Sequence, residues 1–219
     1  MLPFEEHPYW KRVLTGSFTL KEVMAAETQH FIRSDRGRHF RKRAAEEAAA
    51  VSSRAHELLL ETYKEECTED ETGPSHVDLI KRFLALGGVD EIAISRAKPT
   101  PGNSAAIAMY KDIADRGPLH HMIGAGAVEF YYSRLSPRIF NAYTTLYPIS
   151  AEQAETYRIH GPMDLEHAER ALQILDEPAV QNNADGILEA VRDAFVATSL
   201  HYDGMLQAAT DSLTYWDGK

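Results

Sequence analysis

The pattern of apolar and polar positions along this chain is helical almost from end to end. Thr19 followed by Glu22 forms a capping box ahead of "LKEVMAAETQHFIR", and an Ala/Glu/Leu-rich run from about Gly37 to Cys67 reads as one bent helix. Ser75 with Asp78 starts "HVDLIKRFLAL", which Gly87-Gly88 ends. Strand-like alternation occurs only in "DEIAIS", Asp90 to Ser95. The segment Ser95–Ser104, with two prolines and a glycine, reads as a loop leading to "AAIAMYKDIADRG". Pro118 opens a run through Glu129 to Leu135, and Ser150 with Gln153 caps "AEQAETYRIH". Helices from about Met163 to Asp176 and Ala184 to Thr214 complete the chain. Seven or more helices on short connections predict an all-α bundle with mostly antiparallel neighbours, in one domain spanning residues 1–219.

Composition narrows the setting. With 44% hydrophobic residues in 219, the chain can bury a substantial core, and no stretch is long and apolar enough to span a membrane. The opening "MLPFEEHPYWKRVL" lacks the basic start and apolar run of a signal peptide, so a cytoplasmic protein is expected. Cys67 is the only cysteine, which excludes an internal disulfide and a cysteine-based zinc site. Net charge is −10. The basic cluster Arg33–Arg43 is followed at once by "AAEEAAAV" and reads as a solvated helix start, so no nucleic-acid partner is expected.

The chemistry concentrates in "YRIHGPMDLEHAERAL", where His160, Asp164 and His167 fall on one helical face at i, i+4 and i+7. A solvated polar stripe is the plain alternative, but other segments offer matching groups. Glu69 and His76 flank a Gly73-Pro74 turn, and Glu129 lies in the otherwise apolar "GAGAVEFYYSRL". An isolated buried carboxylate is costly unless it is paired or metal-bound. Three carboxylates and three imidazoles suit two first-row ions such as Fe(II) or Mn(II) better than a closed zinc site, which needs four ligands. The proline of Gly161-Pro162 removes a helical hydrogen bond. A break is therefore expected between His160 and Asp164, in a segment ordered by metal.

The pattern Glu69–x6–His76, Glu129, His160–x3–Asp164–x2–His167 resembles the ligand signature of the heme-oxygenase-like diiron oxidases, relatives of the TENA/THI-4 and PqqC proteins. The opening "HPYWKRVLTGSFTLKEVMAAETQHFIR" is similar to that superfamily's first helices, and the resemblance runs from about residue 7 to 215. It implies a heme-oxygenase-like seven-helix bundle, a homodimer, and two Fe(II) ions, with Mn(II) as the other candidate. One ion would take Glu69, His76 and a further carboxylate; the other would take His160, Asp164 and His167, with Glu129 between them. Glu65, Glu66, Asp70 and Glu71 crowd Glu69, so a neighbouring acid could hold its place. The implied activity is O2-dependent oxidation of a small substrate, an amino acid or small carboxylate, by desaturation, C–C cleavage or N-oxygenation. A cofactorless PqqC-like oxidase using the same histidines as acid and base is the alternative within the fold. A non-catalytic helical binding protein is the alternative outside enzymes.

Other residues invite competing readings. Glu27-x-x-His30 matches the unit that ferritin-like bundles use twice, but no second copy exists. Glu27, His30, Arg138 and Tyr157 are therefore expected around the pocket or hydrogen-bonded behind the ligands. His120 and His121 read as surface residues, and His39, His56 and His201 as structural. Cys67 in "KEECTED" has an acidic setting that raises a thiol's pKa and blunts it as a nucleophile. Arg33, Arg134, Arg138 and Arg158 are available to grip a substrate carboxylate.

Overall fold

His7 accepts a hydrogen bond from the backbone N–H of Tyr9, and Pro8 needs no donor at the first helical position, so α1 (Pro8–Leu14) begins there. The computed structural model describes residues 3–67 and 74–212. A short 3-10 turn, Phe4–Glu6, precedes α1. Then follow α2 (Leu20–Ala48), α3 (Ser53–Cys67), α4 (His76–Leu86), α5 (Glu91–Arg96) and α6 (Pro101–Asp115). The remainder comprises α7 (Pro118–Leu146), α8 (Glu155–Leu172), α9 (Pro178–Gln181) and α10 (Ala184–Thr210). Among the described residues there is no strand, as the helical pattern predicts.

Four boundaries differ from the sequence reading. The Gly37–Cys67 run is not one helix: α2 carries its capping box at Thr19 all the way to Ala48, and α3 starts afresh at Ser53. Ser52 sets that restart by accepting the Ala55 N–H at 3.1 Å. "DEIAIS" is helix rather than strand, because Asp90 accepts the Ala93 N–H at 2.6 Å and caps α5. The predicted loop at Ser95–Ser104 shortens to Ala97–Thr100, since Pro101 serves as the first residue of α6. Finally, α8 runs unbroken through Gly161-Pro162.

The last difference follows from the neighbour of α8. The Ser136 hydroxyl of α7 donates to the Tyr157 carbonyl at 2.8 Å, one turn before the proline. A Cβ at position 161 would stand 3.1 Å from the Pro137 ring, and one at 126 would stand 2.4 Å from the Ala171 methyl. The two glycines thus let α7 and α8 lie antiparallel at close range, and α7 braces the stretch that Pro162 weakens. The helix pair α6 and α10 also approaches backbone to backbone at Gly102 and Gly204.

Trp10, Tyr9, Phe83, Tyr143, Tyr157 and Ile139 are fully buried in the larger of two main apolar clusters. The smaller cluster joins α2 and α3 to the start of α7 through Ala44, Ala48, Leu59, Leu119 and Ile174. Between these cores, α2, α3, α4, α7 and α8 turn a set of buried polar side chains toward one another.

Candidate metal centre

The buried face of α3 runs Ala55, Leu59, Thr62, Glu66, at helical spacing. Continuing that apolar stripe therefore drives a carboxylate inward on the last turn. Ser75 caps α4 by accepting the Asp78 N–H, which leaves His76 as the first helical residue, buried beside Glu66. From α8, His160, Asp164 and His167 all turn inward on the face their spacing predicts.

Glu66 Oε2 lies 3.6 Å from His76 Nδ1, while its Oε1 lies 3.7 Å from His160 Nε2 and 3.8 Å from His167 Nδ1. Glu129 Oε2 is 3.6 Å from His167 Nδ1. Two ligand triads result, Glu66–His76–His160 and Glu66–Asp164–His167, each with its ligand atoms within 4.8 Å of one another. Glu66 is common to both. The structure thus brings together His76, Glu129, His160, Asp164 and His167. Glu69 lies outside the described residues, and the acid that α3 delivers is Glu66. Glu129 sits on the His167 side, where Arg41 Nη2 donates to its Oε1 at 2.8 Å and stands 3.7 Å from Glu66 Oε2.

Hydrogen bonds behind the cluster set which nitrogens face it. His160 donates from Nδ1 to the Thr156 carbonyl, leaving Nε2 with its lone pair inward. His167 donates from Nε2 to Glu65 at 2.9 Å, and Arg170 grips Glu65 at 2.6 and 2.8 Å. Nδ1 of His76 and Nε2 of His160 meet at the centre. Such support behind ligands fixes ring orientation and raises ligand basicity.

Burial pushes the Asp164 carboxyl up to about 8. Burial opposes the charge on His167, but Glu129 and Glu65 prevail and raise its imidazolium to about 10. Burial also opposes ionisation of Glu129, yet Arg41 holds it down at about 2. Glu66 lies well below the ordinary range despite burial, because of Arg41 and His76. Among the described residues, six buried side-chain polar atoms lack a hydrogen-bond partner, and four of them are Glu66 Oε1, His76 Nε2, Asp164 Oδ2 and His167 Nδ1. Each such orphan costs about 1–3 kcal/mol. Carboxylates and imidazoles left unpaired in two overlapping triads are a donor set that fits divalent first-row metal ions.

Glu27 and His30 stand behind His76. The hydroxyls of Tyr143 and Tyr157 each donate to Glu27 at 2.6 Å, His30 lies 3.1 Å from the same carboxylate, and the His30 ring is 5.5 Å from that of His76. Arg138 does not join them. It is more than half exposed and pairs with Glu5 at 3.0 Å.

A cavity of about 130 Å³ adjoins the cluster. Its further walls include Trp10, His30, Arg33, Tyr110, Tyr132 and Tyr202. His121, expected at the surface, is buried in this wall, and burial together with Arg41 pushes its pKa down to about 4. His201 also reaches the cavity, with Nδ1–H donating to Asn103 at 2.9 Å. Burial, against the pull of Arg41, raises the Cys67 thiol to about 11, where it makes a poor nucleophile. Arg41 and Arg170 join the site without having stood out in the sequence, and Glu65, one of the acids crowding Glu69, joins it behind His167. The signal for Arg41 is its register, eleven residues after His30 on one face of α2.

A bundle of this topology around a buried carboxylate–histidine centre defines a class, and comparison with known proteins names the family. The chain belongs to the Haem_oxygenas_2 family of iron-containing redox enzymes, whose model matches residues 36–200. Its fold is similar to that of a CADD-like protein of unknown function from Nostoc punctiforme, at 17% identity and a TM-score of 0.74, covering 96% of this chain and 90% of that one. A domain of unknown function with a heme oxygenase-like fold from Shewanella denitrificans gives 18% identity and 0.78, over 96% and 89%. A TenA homologue from Pseudomonas syringae gives 12% and 0.70, over 92% and 86%. A search of curated proteins gives no match. Among the described residues, no helix is long and apolar enough to cross a membrane.

Proposed function

We propose that this iron-containing redox enzyme is a non-haem diiron oxidase that uses O2 to oxidise a small organic substrate. The observation that carries the reading is the convergence of Glu66, His76, His160, Asp164 and His167 in two triads sharing one carboxylate, with Glu66 Oε1, Asp164 Oδ2 and His167 Nδ1 unpartnered. Ferrous ions bound there would supply the electrons that dioxygen requires and that side chains cannot readily provide.

The chain's own residues do the rest. Glu66, Asp164 and Glu129 would offset the charge of two divalent ions, and Glu66 belongs to both triads. The Thr156 carbonyl and the Glu65–Arg170 pair hold His160 and His167 with the ligating nitrogens inward. Burial, then the nearby Tyr202 and Glu27, raise the Tyr132 hydroxyl well above its ordinary value, so that cavity wall stays protonated and uncharged.

The test is an anaerobic Fe(II) titration followed by O2. Uptake should saturate near two equivalents per chain, and O2 should convert the bound iron to the ferric state, read by loss of ferrozine-reactive iron. Glu66→Gln should bind less than about half as much iron with helicity unchanged, since both triads share that residue. No uptake by the wild-type chain would end the diiron reading. Oxidase activity that persists in strong chelator would favour the cofactorless alternative.

A further inference from the structure

Two arginines line the cavity, and their situations differ. Arg41 is matched by Glu129 and Glu66. Arg33 has no carboxylate within ion-pair distance among the described residues, and its buried Nε has no hydrogen-bond partner. It lies three residues after His30 on α2, so both side chains face the same space. Its guanidinium stands 5.8 Å from the Tyr110 ring, whose hydroxyl is tied to Thr198 at 2.7 Å. Burial and then the Arg33 charge keep His201 neutral, which marks a cation felt inside the cavity rather than one spent on solvent. A partly buried charge is retained where something pairs with it, and among the described residues Arg33 faces the Tyr110 ring but no carboxylate.

We propose that Arg33 anchors the substrate by its carboxylate, and that the cavity takes a small monocarboxylic acid with an apolar or aromatic body rather than a zwitterionic amino acid. This rests on the oxidase reading only in calling the ligand a substrate. The planar guanidinium matches a carboxylate with two parallel hydrogen bonds. Trp10, Ile107, Tyr110, Tyr202 and Met205 offer an apolar bed beside it. Among the described residues, the acids lining the cavity are Glu66, Glu129 and Asp164, all in the candidate metal cluster and two of them already facing Arg41. An α-ammonium next to a carboxylate held by Arg33 would therefore meet a guanidinium and a neutral imidazole, and among the described residues no anion outside the cluster is there to pair with it.

Calorimetric binding to the metal-free full chain tests this with 3-phenylpropanoate, octanoate, 3-phenylpropanamide and L-phenylalanine as probes. At least one of the two acids should bind saturably. The amide and the amino acid should bind about tenfold or more weakly than 3-phenylpropanoate. Arg33→Gln should reduce acid binding to the level of the amide while leaving helicity and Fe(II) stoichiometry intact, and Arg33→Lys should recover part of it. Binding of neither acid, acid binding unchanged in Arg33→Gln, or L-phenylalanine binding as well as the acids would each overturn the proposal. Because binding is read without metal, these outcomes are separate from failure of the iron titration.

Discussion

At the scale of single residues, the metal-free centre holds protons that a metal ion must displace. Asp164, raised to about 8, and His167, raised to about 10, are both protonated at pH 7, whereas ligation needs an ionised carboxylate and a free imidazole nitrogen. Metal binding at pH 7 should therefore release protons, and affinity should fall as pH is lowered. Titrations of Mn(II) by calorimetry in buffers of different ionisation enthalpy measure this; a binding heat independent of buffer would contradict it. Most of the positions that converge in the cluster are legible from residue types at helical spacing, as His160, Asp164 and His167 show. Glu66 is harder, because five acids crowd residues 65–71 and only continuation of the Ala55–Leu59–Thr62 stripe separates Glu66 from its neighbours. Arg41 is hidden by its basic surroundings, which read as a solvated face.

At the scale of elements, the site depends on how closely α7 and α8 approach. The Gly126–Ala171 contact has no room for a methyl group, since an added Cβ would stand only 2.4 Å from the Ala171 side chain. Gly126→Ala should destabilise the protein by about 1–3 kcal/mol through overpacking, read as a lowered denaturant midpoint with unchanged slope. A midpoint equal to wild type would mean that the two helices are free to separate. Capping boxes and N-terminal prolines make most helix starts legible. Continuity through Gly161-Pro162 is not, because the support comes from Ser136 and Pro137 on another helix. The alternation in "DEIAIS" misleads because a side-chain cap at Asp90 outweighs a six-residue period-two pattern.

At the scale of the whole molecule, the all-α class follows from local signals alone, while the position of the cavity between two apolar cores needs the tertiary arrangement. The placement of Arg41 has a consequence for the protein's life without metal. Its guanidinium lies between Glu66 and Glu129, so the two carboxylates would not be left to repel each other in the absence of metal. Arg41→Met should lower the melting temperature of the chelated protein, by several degrees if the loss reaches about 1 kcal/mol or more, and should cost the metal-loaded form much less. Equal losses in the two forms would count against it. Arg41 would thus act as a resident counterion, keeping a centre that gives up its metal folded and ready to take up more, a useful property wherever the supply of iron rises and falls.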